Sequence, residues 1–416
     1  MPTGTLTGFF RGRFGRSLRL HSGGAIASQI LMVVISPVLV RLYRPEDLGL
    51  YGLVIGGAAL AAVFFTLRLE QEIMLSDDNV DANRIASALF RLAIATGIAA
   101  TIVLALIALA AGYGNAISWL AIAMGLAVMI AIQKVLWVLN FRQHRFAEVS
   151  RSRLTQAATS CCVWVAMGLA GFSQSGLLAG AAAGQAAAFL FLTPAHSPAE
   201  SGGFAVLPAL TRRGWRSIAF ATPSELVKLL SIQLPLFAFS ASFGLAQTGH
   251  LALAFRTVAT PARLFGNAAG DVFYAHAARE EEPVAKLVIQ TTAGLIVVAA
   301  IGFGVLYIAA LPVFDVVFGP AWLDAASYAR ILVPYLFASF VVTPLAGVLT
   351  IARRQHLELA WQVIILAVGA AAFAFGHGLA LPPEKMLAVY SLSCGLFFLV
   401  YWAMIYLSAK SRDSGN

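Results

Sequence analysis

The most informative stretch of this sequence is LVIQTTAGLIVVAAIGFGVLYIA, which runs from Leu287 to Ala309. It contains no charged side chain, and an α-helix of this length is about 34 Å long, enough to cross the roughly 30 Å hydrocarbon core of a bilayer. Within a lipid bilayer, a helix satisfies all the backbone hydrogen bonds of such a stretch internally. The stretch therefore predicts a transmembrane helix.

The composition of the whole chain agrees with this prediction. Of 416 residues, 60% are hydrophobic and only 11% are charged, and the mean hydropathy is +0.83. A soluble domain is about 45–50% apolar and about 25% charged. The net charge of +9 comes from short basic clusters between apolar runs and not from one basic face, which argues against binding of nucleic acid.

Similar apolar runs recur along the chain and predict an all-α polytopic membrane protein with about twelve transmembrane helices. The predicted spans are 24–42, 49–67, 87–111, 117–137, 155–172, 176–193, 223–243, 247–267, 287–309, 329–350, 358–380 and 386–408. The loops after even-numbered spans with their adjoining helix ends, together with both termini, carry 22 of the 28 Lys and Arg residues. Because basic loops stay on the cytoplasmic side, both termini are predicted to be cytoplasmic.

The largest hydrophilic segment lies at the midpoint of the chain and divides it into two halves of six spans. The predicted organisation is a basic cytoplasmic segment 1–23, an N-terminal half 24–193, a cytoplasmic linker 194–222, a C-terminal half 223–408 and a cytoplasmic tail 409–416. Two halves that begin on the same side of the membrane predict parallel repeats with a substrate site between them.

A faint internal repeat supports this division. Pro37 corresponds to Pro235 at an offset of 198 residues, and Gly49 corresponds to Gly249 at an offset of 200 residues. Two matching residues are a weak signal, and the equal number of spans is the stronger argument.

No motif in the chain points to catalysis. The three cysteines all fall within predicted spans, and the chain has no phosphate-binding loop, no Gly-x-Ser-x-Gly elbow and no His-Glu-x-x-His pair. The Asp-Asp-x-x-Asp spacing at Asp77–Asp81 occurs once, immediately before a predicted helix, where carboxylates favour the helix N-terminus. We therefore predict a protein that is not an enzyme and holds no metal or cofactor, while proton or sodium coupling stays open.

Charged side chains inside spans are the candidate substrate residues, because each costs about 2.5–3.5 kcal/mol in the membrane and needs a reason. Arg256 is the deepest, and it either meets an anionic substrate in a cavity or is satisfied by carbonyl groups or a carboxylate. Lys228 either binds substrate or pairs with Glu225, which shares its helix face. Arg68 either binds substrate or extends to the cytoplasmic surface.

A second charged cluster lies at the outer end of the first span. Arg41 and Arg44 there break the positive-inside pattern, and Glu46 and Asp47 follow directly. A bound ligand or a network of ion pairs explains such an exception. Arg41 is accordingly a further candidate for substrate binding, with Asp47, Glu70 and Glu225 as residues that position the cations or couple transport to an ion.

These residues also carry a family resemblance. The run Ile35–Tyr51 (ISPVLVRLYRPEDLGLY) with Thr66–Glu70 (TLRLE) resembles the N-terminal signature of the polysaccharide biosynthesis flippases. These are the Wzx-type O-antigen and exopolysaccharide translocases of the multidrug/oligosaccharidyl-lipid/polysaccharide exporter superfamily. The second half is similar in Pro223-Ser224, in Gln233-Leu234-Pro235, and in Leu253–Arg256 followed by Pro261.

The resemblance implies a flippase that moves an undecaprenyl-pyrophosphate-linked oligosaccharide across the bacterial inner membrane by alternating access. It implies membrane lipids and other polysaccharide assembly proteins as neighbours. Guanidinium groups suit this role because they bind phosphate bidentately and stay charged when desolvated.

Three different functions stay open beside this one. A multidrug or small-molecule exporter of the same superfamily is expected to have an acidic cavity residue, and none is evident at mid-membrane. A membrane-embedded glycan polymerase or ligase is expected to have a large outer loop, so the short outer loops argue against it. A scaffold within a glycan assembly complex is compatible with the sequence.

Overall fold

The computed structural model describes Gly24 and residues 26–76, 78–114, 117–192, 203–278 and 283–414, which form helices joined by short turns and loops. Twelve helices follow one another along the chain. They are α1 (Ile26–Leu42), α2 (Pro45–Thr66), α3 (Asn79–Ala110), α4 (Ile117–Arg142), α5 (Phe146–Leu169), α6 (Gln174–Ala188), α7 (Thr222–Ala254), α8 (Thr260–Ala277), α9 (Val284–Phe318), α10 (Val333–Ile351), α11 (Gln355–Gly378) and α12 (Pro383–Asp413). Shorter helices occupy Gln71–Met74, Leu207–Arg213 and Leu323–Ile331.

The twelve predicted spans fall on these twelve helices, which confirms the predicted fold class. Eight stretches of the described chain are long and apolar enough to cross a membrane, and one of them, Ser217–Ala277, holds two passes. Several helices extend beyond the predicted spans, for example α5, which begins at Phe146 and not near residue 155. Hydropathy detects only the apolar part of a helix, whereas the first turns of α5 carry Arg151 and Arg153.

The stretch from α7 to α8 reverses direction at Gly244. This glycine has φ 79° and ψ −175°, a conformation that interrupts the helix and that side chains with a Cβ disfavour. Lys228 and Asp271 line the same cavity. A straight helix would place these two residues about 65 Å apart, so the chain must turn back between them. The turn between the predicted spans 223–243 and 247–267 therefore begins at this glycine.

The chain forms two compact units. Among the described residues, unit 1 contains those up to Tyr43 and Tyr51–Leu226, and unit 2 contains Arg44–Leu50 and those from Val227 onward. The first turn of α2 thus belongs to unit 2, although it precedes most of unit 1 in the chain. The domain boundaries of the sequence analysis stay a prediction.

Unit 1 is organised around a buried tryptophan. Trp164 of α5 is buried, and its indole N–H donates to the carbonyl oxygen of Leu177 at 2.8 Å. The hydroxyl of Tyr43 donates to the carbonyl oxygen of Trp164 at 2.7 Å, and the ring of Tyr51 packs edge-on at 5.7 Å. These bonds satisfy the polar atoms that large aromatic residues bring into an apolar interior.

The linker helix, which we define as Leu207–Arg213, also packs in unit 1. Leu210 is buried in a cluster with Leu69, Ile73 and Leu139. Arg213 lies 3.7 Å from the carboxylate of Glu72 and 3.4 Å from that of Asp81, and it donates to the carbonyl oxygen of Leu75. The linker helix is therefore held by apolar burial and by one multiply bonded arginine.

In unit 2, α2 and the second arm of α7 meet through two glycines. A Cβ atom at Gly49 would collide with the carbonyl oxygen of Leu245, and one at Gly249 would collide with the carbonyl oxygen of Pro45. Each glycine therefore faces the residue four positions before the other glycine. This reciprocal contact involves the pair that the sequence analysis matched as a repeat, and it explains why both positions lack a side chain.

The end of α12 completes the start of α9. The two carboxylate oxygens of Asp413 accept hydrogen bonds from the backbone N–H groups of Val284 and Ala285 at 3.0 and 2.8 Å. The first N–H groups of a helix have no partner within the helix, and a carboxylate is well suited to them. Nearby, Trp402 donates to the hydroxyl of Thr292 at 3.0 Å.

Candidate functional site

A cavity of about 950 Å³ lies within unit 2, between α7, α8, α10, α11 and α12. Its volume is at the upper end of the range of about 300–1,000 Å³ for small-molecule sites. The charged and amide side chains that line it are Lys228, Gln233, Arg263, Asn267, Asp271, Glu358 and Gln362, and the aromatic ones are Phe255, Tyr274, Tyr335, Phe340, Trp361, Tyr390, Phe398 and Tyr401. The lining suits a ligand that has both charged and apolar parts.

The charged lining residues of the cavity lie toward the helix ends that the sequence analysis assigns to the cytoplasmic side, whereas Tyr335 and Tyr390 extend the lining toward the other ends. Lys228 lies near the start of α7, Tyr274 lies near the end of α8, and Glu358 lies in the first turn of α11. In the predicted topology all three positions belong to the cytoplasmic half of the membrane. In that topology the charged part of the cavity would face the cytoplasmic half.

Two cations face the cavity, Lys228 and Arg263. Among the described residues neither forms an ion pair, and the only hydrogen bond of either is from Arg263 Nε to the carbonyl oxygen of Ala259 at 3.3 Å. A membrane helix bears the cost of such charges where they meet water or a ligand. The two residues can therefore receive an anionic group.

The local sequence explains how the start of α8 is shaped. Pro261 has no N–H group to donate, so a regular helix would be broken here. The five preceding residues, Phe255–Ala259, adopt a π-helical turn, which widens the helix and alters the direction of the side chains that follow. Phe255, Ala259 and Arg263 all line the cavity.

Two carboxylates share the cavity with the cations. Asp271 is exposed on α8. Glu358 is half-buried and accepts hydrogen bonds from the hydroxyl of Tyr401 and, at 3.0 Å, from the side-chain amide of Gln362. Both donors are neutral, and Glu358 forms no ion pair within the part of the chain that the structure describes.

An aromatic stack fixes the position of this network. The rings of Trp361 and Tyr401 are parallel within 4° with centroids 4.4 Å apart, and Phe398 packs against Trp361 at 5.0 Å. Trp361 and Tyr401 are only 3% and 2% exposed. Because the Tyr401 ring is buried in this stack, its hydroxyl has a fixed position from which it holds the Glu358 carboxylate.

Arg256, the deepest of the predicted cations, does not line the cavity as Lys228 does. Lys228 lines the cavity, whereas Arg256, in the π-helical turn, is half-buried and is not among the described lining residues. Arg256 has an interaction partner of its own. The role of Arg256 in substrate binding stays a prediction, and the cavity geometry directs attention to Arg263, seven residues later.

Arg41, Arg44, Glu46 and Asp47 form no ion pair among the residues that the structure describes. Arg41 is exposed in the last turn of α1, which belongs to unit 1. Asp47 is buried in unit 2, and its carboxylate accepts a hydrogen bond from the backbone N–H of Arg44 at 3.0 Å. This bond satisfies a free N–H at the start of α2, and this capping role accounts for an aspartate at position 47.

Arg68 and Glu70 do come together, in a tight turn at the end of α2. Arg68 Nη1 lies 3.6 Å from the carboxylate of Glu70, which is only 2% exposed. Leu67 and Arg68 have φ angles of 51° and 57°, a left-handed conformation that side chains with a Cβ rarely adopt. Such strain persists where the surrounding structure or function demands it.

The remaining predicted carboxylates lie at helix starts. Glu225 is half-buried in the first turn of α7, where its charge favours the helix N-terminus. Asp78 caps α3 by accepting from the N–H of Asp81 at 2.7 Å, and Asp81 pairs with Arg213. Asp77 lies outside the described residues. No cluster of metal-binding side chains occurs within the described ranges.

Sequence reasoning missed Arg263, Asp271 and Glu358 as cavity residues. All three lie close to helix ends, where charged residues usually face water, so hydropathy gave no reason to separate them from topology signals. Pro261 is the one available signal, since a proline within a predicted span marks an irregular helix. The sequence analysis found no acidic residue at mid-membrane, and the two carboxylates that line the cavity lie toward the helix ends.

Comparison with known proteins identifies the fold. The sequence profile of a family described as "Polysaccharide biosynthesis protein" matches residues 38–327. No curated protein matches the chain in a sequence search.

Several solved structures are similar throughout. The lipid II flippase MurJ in an inward closed conformation is 12% identical, with a TM-score of 0.66 over 95% of this chain and 90% of that one. A multidrug resistance MATE family transporter of the MOP superfamily, in an inward-facing conformation, is 15% identical, with a TM-score of 0.57 over 95% and 94% of the two chains. An outward-facing conformation of such a transporter is also 15% identical, with a TM-score of 0.57 over 100% and 99%. The fold is therefore that of the MOP superfamily.

Proposed function

The chain belongs to the family of polysaccharide biosynthesis proteins, and we propose that it is a flippase for an undecaprenyl-pyrophosphate-linked oligosaccharide. It would carry this lipid from the inner to the outer leaflet of the bacterial cytoplasmic membrane by alternating access, in the synthesis of O-antigen or exopolysaccharide. Both termini would be cytoplasmic. Its partners would be the lipid-linked substrate, membrane lipids and other polysaccharide assembly proteins. It would bind no nucleic acid and catalyse no covalent step.

The observation that carries this proposal is the pair of cations that face the cavity of unit 2 without an ion-pair partner among the described residues. Lys228 and Arg263 can meet a diphosphate, and Arg263 can do so with two parallel hydrogen bonds. The same cavity has amide and aromatic side chains that suit the rest of a saccharide headgroup. The predicted position in the cytoplasmic half of the membrane is where such a substrate would be collected.

Export of a cationic small molecule is the second candidate function. Asp271 and Glu358 in the cavity favour it, because a cation needs a carboxylate partner when it leaves water. A lipid diphosphate requires Lys228 and Arg263, whereas a cationic drug requires the two carboxylates. If the substrate is a lipid diphosphate, neutralising Lys228 or Arg263 should reduce transport. If it is a cationic drug, the same change should leave transport intact.

The test uses a deletion strain and inverted membrane vesicles. We expect mass spectrometry to find complete undecaprenyl-linked repeat units that accumulate when the gene is deleted, and labelling of the glycan to place them on the cytoplasmic face. Complete units on the outer face would contradict a flippase and favour a polymerase or ligase. An unchanged pool of glycolipids would contradict any role in glycan transport.

Complementation with single variants then tests the cavity. Lys228→Met and Arg263→Met should each reduce translocation at least ten-fold, while the proteins remain in the membrane at normal amounts. Lys385→Met is the matched control for Lys228, because Lys385 is an exposed lysine of the same unit that does not line the cavity. Arg256→Met decides between the two arginines: if it abolishes transport and Arg263→Met does not, the substrate site lies elsewhere.

A further inference from the structure

Glu358 combines a fixed position with unused hydrogen-bonding capacity. Each of its carboxylate oxygens accepts one bond, Oε1 from Gln362 and Oε2 from Tyr401. An ionised carboxylate offers about four acceptor positions. About two of them therefore remain for a ligand in the cavity that Glu358 lines.

A purely structural role does not account for this arrangement. Glu358 lies in the first turn of α11, where any acidic residue benefits from the helix N-terminus without needing a side-chain partner. Here the carboxylate is instead held by a tyrosine that is stacked on Trp361 and almost completely buried. Rigid placement of a polar group before a ligand arrives reduces the entropy cost of binding.

The charges of the cavity define what this carboxylate can accept. Lys228 and Arg263 receive an anion, whereas Glu358 repels one and attracts hydroxyl or amide donors. On the basis of the proposed function, we propose that Glu358 is the acceptor for hydroxyl groups of the sugar that follows the diphosphate. The sugar next to the diphosphate is then an uncharged one, because Glu358 repels the carboxylate of a uronic acid or of another acidic sugar.

The experiment measures binding of three synthetic probes to the purified protein in lipid nanodiscs. The probes are farnesyl diphosphate, farnesyl diphosphoglucose and farnesyl diphosphoglucuronic acid. The last two differ only in a hydroxymethyl group and a carboxylate. We expect the glucose probe to bind at least ten-fold more tightly than the glucuronic acid probe, and more tightly than farnesyl diphosphate alone.

Two variants locate this preference. Glu358→Gln should reduce the difference between the two sugars to about two-fold while the affinity for farnesyl diphosphate stays unchanged. Glu384→Gln is the matched control, because Glu384 is an exposed carboxylate in the first turn of another helix of unit 2 and does not line the cavity. It should keep the full preference.

The outcomes separate this inference from the proposed function. If farnesyl diphosphate binds and its affinity falls in Lys228→Met, but the two sugars bind equally well, the role of Glu358 is refuted and the flippase stands. Retention of the sugar preference in Glu358→Gln has the same meaning. If none of the three probes binds, both proposals fail. Should Glu358→Gln prove unstable, equal binding of the two sugars to the unmodified protein still refutes the role of Glu358.

Discussion

Replacement of Gly49 by alanine should destabilise the protein, whereas the same replacement at Gly57 should not. A Cβ at Gly49 would lie 3.1 Å from the backbone nitrogen of Gly249 and would collide with the carbonyl oxygen of Leu245, while a Cβ at Gly57 meets nothing within 4 Å. Backbone atoms cannot move aside by a rotamer change. Overpacking of this kind costs about 1–3 kcal/mol, and an otherwise free glycine-to-alanine change in a helix gains about 0.5–1 kcal/mol.

The two variants lie in the same helix and should therefore differ by about 1.5–4 kcal/mol in the free energy of unfolding. The two variants are heated in nanodiscs, and the remaining native protein is measured by size-exclusion chromatography. Gly49→Ala should lose its native peak at a temperature several degrees lower than Gly57→Ala does. The double variant Gly49→Ala with Gly249→Ala should lose less than the sum of the single losses, because one separation of the helices accommodates both methyl groups. Equal unfolding temperatures for Gly49→Ala and Gly57→Ala would refute the close contact.

Three further predictions concern named bonds. Asp413→Ala should destabilise the protein by about 1 kcal/mol through loss of the α9 cap, measured as thermal stability. Asp413→Asn keeps one side-chain oxygen that can accept one of the two bonds, so it should lose less; equal losses in both would contradict a capping role. Arg213→Ala should increase hydrogen exchange of the linker helix, and Arg212→Ala, the exposed neighbour, should leave exchange unchanged. Arg68→Leu should destabilise unit 1 by about 3–5 kcal/mol because it leaves the buried Glu70 carboxylate unpaired. The double variant Arg68→Leu with Glu70→Leu should recover most of that loss. A double variant no more stable than the single one would show that the lost ion pair is not the cause.

The order of helices was predictable because a transmembrane helix leaves its record in local composition. The apolar run from Leu287 to Ala309 needs no neighbour to identify it, and the same holds for the other apolar runs. What hydropathy could not supply was the extent of helices such as α5, whose first turns are polar, or the assignment of Arg44–Leu50 to unit 2. Both depend on contacts that form only in three dimensions.

The candidate site was less predictable, for a related reason. Lys228 was identified because a lysine within an apolar run is conspicuous, and it does line the cavity. Arg263 and Glu358 are no more unusual in sequence than the basic and acidic residues of any helix end. Their meaning depends on five helices that enclose one cavity, and on the orientation that Tyr401 imposes on Glu358. Depth in the membrane, the criterion that favoured Arg256, says nothing about the direction in which a side chain points.

The bonds from Asp413 to the start of α9 have a consequence for biosynthesis. The carboxylate and the N–H group of Val284 that it accepts from are separated by 129 residues, a distance that includes three further membrane-spanning helices. The ribosome delivers the chain to the translocon from its N-terminus. When α9 enters the bilayer, its first N–H groups therefore lack the carboxylate partner that α12 supplies later. The ninth helix therefore reaches its final state only when the twelfth has been inserted, and a ribosome that stalls between them leaves a nascent chain that quality-control proteases can recognise.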